Sequence, residues 1–285
     1  MNILIIGGSG FIGSNLKKHL EKKGHTISTL GKKNESIICD ITNFNEINDK
    51  IKNFDCVIHL AGLILPKESN ERPRDYFEVN TFGTLNVIEV CRLNNIKNII
   101  FASSSKVYGK TNEKTINENT SKCPDTPYGY SKLAAENICE SYNKAYNMEI
   151  KILRFFNIYG PRQNENLLIP TILNQIESNE IKLNGKNNKV NLLYIGDLCK
   201  AMEKCIISDI KSPINLAGEK SYTPKEIIKI IERIINKKLT VTMKDETTED
   251  EKSIDISLAK EKLDWNPKTS IEEGLKEMLK DIKII

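Results

Sequence analysis

The stretch from Gly7 to Leu16, GGSGFIGSNL, directly follows the short apolar run NILII at the start of the chain. An apolar strand that passes through a glycine turn into a helix places a dinucleotide pyrophosphate at the helix N-terminus. The glycines match Gly8-x-Gly10-x-x-Gly13 and also the register Gly7-x-x-Gly10-x-x-Gly13. The first glycines permit a tight turn close to phosphate, and Gly13 lets the helix lie close to the strand. The stretch therefore predicts a dinucleotide-binding fold.

Strand and helix patterns alternate from this stretch through the first half of the chain. Several of the strands are nearly continuous apolar runs, which is typical of strands that are covered by helices on both faces. Such alternation indicates a doubly wound parallel sheet of the Rossmann type. The predicted strands are NILIIG, HTISTLG, IICDIT, CVIHLAG, NIIFASSS and IKILRFFN, and the predicted helices are Gly13–Lys23, Ile47–Lys52, Tyr76–Leu93 and Tyr128–Tyr146.

The pattern changes after Asn157, where the turn YGPRQ is followed by a helix at Ile169–Glu177, the strand VNLLYIGDL, the strand INLAG and a helix at Thr223–Ile235. A chain of 285 residues suits a nucleotide domain with a smaller substrate lobe. We predict an NAD(P)-binding Rossmann domain over residues 1–160. Residues 161–285 are predicted to form a smaller α/β substrate-binding lobe that returns strands to the first sheet.

The composition excludes several classes of partner. The 42 basic and 38 acidic residues are interleaved and give a net charge of +4, which is no nucleic-acid footprint. The seven cysteines form no Cys-x-x-Cys pair and the three histidines are scattered, so no metal site is expected. Because no signal peptide and no long apolar span is evident, we expect a cytoplasmic protein with reduced thiols and no membrane partner.

Tyr128-x-x-x-Lys132 lies at the start of a predicted helix, so both side chains lie on one face. An ammonium near a phenol lowers the phenol pKa and makes tyrosine usable as an acid/base for carbonyl–alcohol interconversion. Three serines, Ser103–Ser105, follow the run NIIFA at the end of a predicted strand. In such sheets, ligands bind at the carboxyl ends of the strands. A hydroxyl there stabilises charge on a substrate oxygen. Each feature alone also fits a solvated helix face or a helix cap.

Together these segments resemble the extended short-chain dehydrogenase/reductase family of nucleotide-sugar epimerases, dehydratases and reductases. The resemblance runs nearly end to end. The segments that carry it are GGSGFIGSNL, CDITN, HLAG, YFEVNTFGTLNVIE, SSSKVYG, PYGYSKLAAE, LRFFNIYGPRQ, LLYIGDL and AKEKLDWNP.

The resemblance implies a catalytic triad of Ser104, Tyr128 and Lys132. Tyr128 would be the acid/base, Lys132 would hold the nicotinamide ribose and lower the tyrosine pKa, and Ser104 would bind the reacting sugar oxygen. Further cofactor contacts are implied at Gly7, Gly10, Phe11, Ile12, Gly13, Asp40, Ile41, Leu60, Ala61, Gly62, Asn80 and Phe155. Substrate contacts are implied at Ser104, Ser105, Asn157, Arg162 and Asn166.

The end of the second strand departs from the family pattern. It reads Gly31-Lys32-Lys33, without the acidic residue that would bind the adenosine ribose 2′-hydroxyl. Two lysines in place of a carboxylate would attract a 2′-phosphate, so NADP(H) is favoured and NAD(H) is the alternative. The two lysines also fit an exposed loop.

Two other departures concern the substrate. Ser105 and Lys106 stand where the family's 4,6-dehydratases carry an Asp-Glu pair, so water elimination has no evident acid and base. The family pattern has an arginine before the strand of LLYIGDL and another ahead of DISLAKEKL, and this chain lacks both. Val190 stands in the first position, and only Lys252 lies near the second. Lysine does not replace the bidentate arginine clamp on phosphate.

Three functions are consistent with these residues, and we favour the first, with the other two as alternatives. The first is an NADPH-dependent reductase of the 4-keto group of a nucleotide-linked 4-keto-6-deoxysugar. The second is a nucleotide-sugar 4-epimerase that keeps NAD+ tightly bound. The third is a non-catalytic nucleotide-sensing protein, because a fold does not fix a function. The family's pairing of two helices across a two-fold axis implies a homodimer.

Overall fold

The computed structural model describes residues 1–184, 187–244 and 252–285. Its strands alternate with helices as the sequence pattern predicts. The strands are β1 (Asn2–Ile6), β2 (Thr26–Gly31), β3 (Ile37–Ile38), β4 (Cys56–His59), β5 (Asn98–Ser104), β6 (Thr115–Ile116), β7 (Glu149–Phe155), β8 (Asn157–Tyr159), β9 (Glu180–Leu183), β10 (Val190–Tyr194), β11 (Ile214–Leu216), β12 (Ser221–Tyr222), β13 (Thr240–Met243) and β14 (Ser253–Ile254).

The helices flank these strands on both sides. The α-helices are α1 (Phe11–Lys22), α2 (Phe44–Asn48), α3 (Pro66–Glu71), α4 (Pro73–Tyr76), α5 (Gly83–Leu93), α6 (Pro127–Tyr146), α7 (Leu168–Leu173), α8 (Ile195–Ile206), α9 (Pro224–Ile235), α10 (Ser257–Leu263) and α11 (Ile271–Asp281). A π-helical segment covers Phe77–Phe82, and a 3-10 turn covers Ser105–Val107.

Seven strands form one sheet in the order β11-β7-β5-β4-β1-β2-β3, and every neighbouring pair is parallel. The chain builds outward from β1 to β3 and then returns to add β4 on the other side of β1. In such sheets, ligands bind beyond the carboxyl ends of the strands at this reversal of order. The predicted doubly wound parallel sheet is confirmed.

β1 is apolar because it lies in the interior of this sheet, between β4 and β2 and with helices on both faces. Ile3 and Ile5 pack into one core with α1, α8 and α10, whereas Leu4 and Ile6 pack into a second core with α2, α5 and α6. Successive strand residues point to opposite faces, so both sets must be apolar.

The second half of the chain contributes to the same sheet. β11 pairs with β7 through Leu216 and Phe155, as the predicted return of strands requires. A third core packs α7, β9, α9 and α11 together. The division of the chain near residue 160 stays a prediction.

A buried aspartate connects α8 to the C-terminal segment. The Asp197 carboxylate accepts hydrogen bonds from the backbone N–H groups of Lys268 at 3.0 Å and Thr269 at 2.7 Å. The Asp197 carbonyl accepts one from Trp265 Nε1 at 2.9 Å. Burial alone would raise the pKa of Asp197, but the donors at Thr269 and Lys200 outweigh it and lower that pKa. The aspartate of LLYIGDL therefore holds the tryptophan of LDWNP.

Several predicted elements differ in extent from those observed. The helix predicted over Ile47–Lys52 is α2, which begins at Phe44 and ends at Asn48. The strand predicted over VNLLYIGDL ends at Tyr194, and α8 begins at Ile195. The strand predicted over IICDIT pairs only at Ile37–Ile38, because Asp40 Oδ1 accepts from Thr42 N at 3.1 Å and turns the chain. The helix predicted over Ile169–Glu177 is α7 and ends at Leu173. The helix predicted over Tyr76–Leu93 contains the π-helical segment, whose Asn80 bonds the backbone of Leu63.

A buried ion pair joins α6 to the sheet. Arg154 of β7 donates to both carboxylate oxygens of Glu136 at 2.9 and 2.7 Å, and Ser103 Oγ donates to Glu136 at 2.5 Å. Arg154 also donates to the Tyr108 hydroxyl at 2.9 Å. Both charged side chains are 0% exposed. Each charge therefore depends on the other for compensation.

We expect Arg154→Met to lower the free energy of unfolding by about 3–5 kcal/mol, because it leaves the Glu136 carboxylate buried without its partner. Urea denaturation at neutral pH measures this loss. Adding Glu136→Gln should restore part of it. Lys276→Met, which breaks an exposed ion pair with Glu272, is the control and should leave stability unchanged. Equal stability of Arg154→Met and wild type would contradict the assigned role.

Candidate active site

The glycine turn between β1 and α1 leaves no room for a side chain at Gly7 or Gly13. A Cβ on Gly13 would lie 2.2 Å from the Gly7 carbonyl oxygen, and Gly7 itself has a φ of +84°. A Cβ on Gly7 would lie 2.9 Å from Ala61 N in the loop after β4. Only glycine fits both positions, so the backbone at the N-terminus of α1 remains open to a phosphate.

A cavity of about 480 Å³ opens beside this turn, at the carboxyl ends of the central strands. It lies where the strand order of the sheet reverses. The predicted site residues that line it are Gly7, Gly10, Phe11, Ile12, Gly13, Leu60, Gly62, Ser104, Ser105, Tyr128, Lys132, Phe155 and Asn157.

The three predicted catalytic side chains come from two adjacent elements. Ser104 is the last residue of β5, whereas Tyr128 and Lys132 lie one turn apart near the start of α6. The Thr126 hydroxyl caps α6 by accepting from Gly129 N at 3.3 Å. Ser104 and Tyr128 are 7% exposed and Lys132 is 4% exposed, so all three face the cavity from largely dry surroundings.

Lys132 is held as a buried cation. Its Nζ donates to the Ala102 carbonyl at 2.8 Å and lies 5.0 Å from the centre of the Phe101 ring. Burial lowers the pKa of Lys132 from 10.5 to about 8. The buried ammonium therefore loses its proton more readily than an exposed lysine does.

The expected lowering of the Tyr128 pKa by Lys132 is wrong for this structure. Burial raises the pKa of Tyr128, and the hydrogen bond with Ser104 opposes that rise without reversing it. Desolvation of the phenolate thus exceeds the favourable contacts. Tyr128 is therefore a neutral proton donor unless further positive charge or hydrogen bonds are added beside it.

The predicted adenine-side residues lie away from this cavity. Lys32 Nζ forms an ion pair with Asp40 Oδ2 at 2.7 Å, so these two predicted contacts bind each other. Gly31 ends β2, and the Lys33 carbonyl accepts from Ser9 Oγ at 3.3 Å. Ile41 packs against Gly83 of α5, where a Cβ would lie 2.8 Å from its Cδ1.

Asn80 and Ala61 are not lining residues but lie next to residues that line the cavity. The Asn80 side chain accepts from Leu63 N at 2.8 Å and donates to Ser131 Oγ at 3.0 Å, which ties the loop after β4 to α6. Ala61 N and Cα are the backbone atoms closest to the space above Gly7. Asn80 therefore positions the cavity wall through Leu63.

The predicted substrate residues divide into two groups. Asn157 lines the cavity, and its Nδ2 donates to the Asn191 carbonyl at 3.0 Å. Arg162 and Asn166 are not among the described residues that line the cavity. Arg162 occupies the turn after β8 with a φ of +65°, and Asn166 N donates to Asn164 Oδ1 at 2.9 Å.

Sequence reasoning missed Gln163 and Lys106 as cavity residues. Gln163 Nε2 donates to the Ile158 carbonyl at 2.7 Å, while its Oε1 is buried without a partner in the described part of the chain. That amide oxygen is a ready acceptor for a bound hydroxyl or N–H. In the sequence, the position of Gln163 directly after Arg162 in YGPRQ could have identified it as a cavity residue. Lys106 lines the cavity one residue beyond Ser105.

The charged side chains that line the cavity are cationic. Lys106 and Lys132 are the charged side chains among the described lining residues, which include no carboxylate. Val190 lines the cavity where the family's arginine was expected, and Lys252 Nζ donates to the Thr111 carbonyl instead. The lining therefore favours an anionic ligand and offers hydroxyl and ammonium groups for proton transfer.

A family model for the NAD dependent epimerase/dehydratase family matches residues 3–243. The chain belongs to this family. Its cofactor is accordingly of the NAD(P) type, and the family's substrates are nucleotide sugars. The open glycine cradle fits a dinucleotide, since a Cβ at Gly7 or Gly13 would fill it.

Two relatives and one solved structure match this chain over almost their whole length. The uncharacterised UDP-glucose epimerase YtcB of Bacillus subtilis is 29% identical over 96% of both chains. The UDP-glucuronate 4-epimerase of Thermodesulfobacterium geofontis is 29% identical over 99% of both chains. A solved structure of UDP-glucuronic acid 4-epimerase from Bacillus cereus, in complex with UDP-glucuronic acid and NAD, is 26% identical with a TM-score of 0.89 and 99% coverage of both chains.

Within residues 1–184, 187–244 and 252–285, His, Cys, Asp and Glu side chains form no group of three or more that could hold a metal ion. None of the helices in these ranges is both long and apolar enough to span a membrane.

We expect the buried Lys132 ammonium to make stability depend on pH. Its pKa is about 8 in the folded protein against 10.5 for a free side chain, so the unfolded chain binds more protons between these values. Wild type should therefore gain stability relative to Lys132→Met as the pH rises through this window, by up to about 3 kcal/mol. Urea unfolding at a series of pH values measures the difference.

The exposed Lys280, replaced by Met, serves as the control for that series. Its stability should change in parallel with wild type at every pH. Parallel curves for Lys132→Met and wild type would contradict the lowered pKa of Lys132.

Proposed function

We propose that this protein is an NAD+-dependent 4-epimerase of a UDP-sugar. The supporting observation is the cavity beside the glycine cradle, in which Ser104, Tyr128 and Lys132 meet and the described lining offers no carboxylate. Such a site supports reversible proton transfer at a sugar hydroxyl, but it has no acid and base pair for elimination. The names of the two relatives, a UDP-glucose epimerase and a UDP-glucuronate 4-epimerase, agree with this chemistry.

The roles of the side chains follow from their environments. The glycine turn with Gly7 and Gly13 would hold the dinucleotide, which would supply the hydride acceptor in its oxidised form and the hydride donor in its reduced form. Tyr128 takes the proton of the sugar hydroxyl during oxidation and gives it back during reduction. Ser104 would hydrogen-bond the reacting oxygen, and Lys132 would hold the nicotinamide ribose.

A reductase of a nucleotide-linked 4-keto-6-deoxysugar that uses NADPH is the second candidate. It is favoured by Lys32 and Lys33 at the end of β2, although Lys32 is paired with Asp40 at 2.7 Å. Both candidates need Tyr128 as the acid/base, but only the reductase consumes reduced cofactor in each turnover. A nucleotide-sensing protein would need neither turnover nor Tyr128.

We expect the purified protein to interconvert UDP-sugar C4 epimers without added reductant. Tyr128→Phe should lower the rate roughly 10²–10⁴-fold, because the acid/base is lost, and should retain dinucleotide binding. Chromatographic separation of the two epimers measures the rate, with UDP-glucose and UDP-glucuronic acid as substrates. Tyr146→Phe, an exposed tyrosine at the other end of α6, is the matched control and should retain the rate.

The other outcomes distinguish the remaining candidates. Stoichiometric NADPH oxidation with a nucleotide-linked 4-keto sugar, and no epimer formation, would replace the epimerase with the reductase. Dinucleotide binding that is unchanged in Tyr128→Phe, without turnover of either substrate by wild type, would favour the sensor. Mass spectrometry of the dinucleotide released on denaturation identifies the bound form.

We further propose a cytoplasmic homodimer formed through α5, α6 and the preceding π-helical segment. Phe82, Leu93 and Tyr130 lie on these elements and are 60%, 49% and 51% exposed. Burial of such large apolar side chains between two copies would remove them from water.

Light scattering should therefore give a mass near twice the 32.4 kDa of the chain. Phe82→Glu should shift it toward one chain mass, because a charge would be buried in the interface. Lys276→Glu, away from these elements on α11, is the control and should leave the mass unchanged. A wild-type mass of one chain would overturn the dimer.

A further inference from the structure

We propose that Glu35 makes this protein select NAD(H) over NADP(H), by supplying from a loop the carboxylate that is missing at the end of β2. The inference rests on the proposed function only in requiring that a dinucleotide binds the glycine cradle. It names a specificity-determining residue that the family pattern does not place at this position of the chain.

The Glu35 carboxylate lies against the glycine turn. Its Oε1 accepts from Ser9 N at 2.7 Å. A Cβ on Gly31 would lie 3.2 Å from both Cγ and Oε1 of Glu35, and a Cβ on Gly8 would lie 3.1 Å from its Oε2. The carboxylate thus fills the space that an acidic side chain on residue 31 would occupy, between the end of β2 and the turn after β1.

The loop that carries Glu35 is closed by its own hydrogen bonds. Thr29 N donates to Ser36 Oγ at 2.7 Å, Ser36 N donates to Thr29 Oγ1 at 3.0 Å, and Ser36 Oγ donates to the Thr29 carbonyl at 2.9 Å. Asn34 adopts the left-handed conformation with a φ of +57° and turns the chain back. Glu35 is therefore held in place by the backbone on both sides.

The carboxylate has unused acceptor capacity. Glu35 is half-buried, its Oε1 accepts from Ser9 N, and its Oε2 is enclosed with no hydrogen-bond partner among the described residues, so a ligand donor reaches Oε2 only when the side chain rotates toward the ligand. An ionised carboxylate offers about four acceptor positions, so it is suited to the hydroxyl donors of an adenosine ribose. A 2′-phosphate offers no comparable donor, and its charge would be repelled by Glu35.

The nearby lysines do not reverse this selection. Lys32 is paired with Asp40, whose pKa is lowered by Lys32 and Thr42 although burial alone would raise it. Lys33 is exposed, two residues before Glu35 in the same loop. The predicted preference for NADP(H) was based on the two lysine charges, but Asp40 pairs with Lys32, and Glu35 places a second carboxylate at the glycine turn.

The test compares Glu35→Gln with wild type after removal of bound dinucleotide. Dissociation constants for NADH and NADPH are measured by fluorescence titration, which does not depend on turnover. Wild type should bind NADH about tenfold or more tightly than NADPH, and Glu35→Gln should reduce that ratio by about tenfold to a hundredfold. Glutamine retains an oxygen for Ser9 N, so the loop keeps its anchor.

Two further variants separate the carboxylate from the fold of the loop. Gly31→Asp combined with Glu35→Ala returns the carboxylate to β2 and should restore the preference for NADH that Glu35→Ala alone loses. Glu21→Gln, an exposed carboxylate on α1, is the matched control and should leave the ratio unchanged. Melting temperatures of all variants verify that they are folded.

Failure of this inference is distinguishable from failure of the proposed function. Binding of both dinucleotides with a ratio that Glu35→Gln leaves unchanged would overturn the role of Glu35 alone, as would a wild-type preference for NADPH. Binding of neither dinucleotide would overturn the dinucleotide-dependent function and this inference with it.

Discussion

The buried pair of Glu136 and Arg154 is the interaction on which the active-site geometry depends. Glu136 lies one helical turn beyond Lys132, and Arg154 directly precedes Phe155 at the end of β7. The Glu136 carboxylate also accepts from Ser103, next to Ser104. One fully buried carboxylate therefore fixes the mutual positions of α6, β5 and β7, which carry the three catalytic candidates and part of the cavity wall.

Much of this arrangement follows from local sequence. Buried parallel strands must be apolar on both faces, and a phosphate-binding turn must be glycine, so NILIIGGSG determines both the element and its place in the sheet. Glu35 has no such signal. Its carboxylate reaches the glycine turn only because Asn34 and the Thr29–Ser36 hydrogen bonds fold the loop back, and that depends on contacts between segments. Gln163 did have a signal, its place in YGPRQ, but the charge of its neighbour Arg162 drew the substrate prediction instead.

Electrostatics explains why the triad cannot be understood from spacing alone. The i,i+4 spacing places Tyr128 and Lys132 on one face of α6, but burial determines the direction in which each pKa moves. Desolvation disfavours the phenolate of Tyr128 and the ammonium of Lys132 alike. The pair therefore resists charge separation in these buried surroundings, and hydrogen bonds from a bound polar ligand would make charge transfer less costly.

The position of β11 has a consequence for dividing this protein into pieces. β11 covers the outer edge of β7 by pairing with Leu153, Arg154 and Phe155, although more than fifty residues separate the two strands. A fragment that ends near residue 160 would retain the glycine turn and all three catalytic candidates, yet it would leave the backbone groups of β7 at Leu153, Arg154 and Phe155 without their partner strand. An unpaired strand edge can pair with another chain by backbone hydrogen bonding. The C-terminal half therefore protects the edge of the sheet next to the active site.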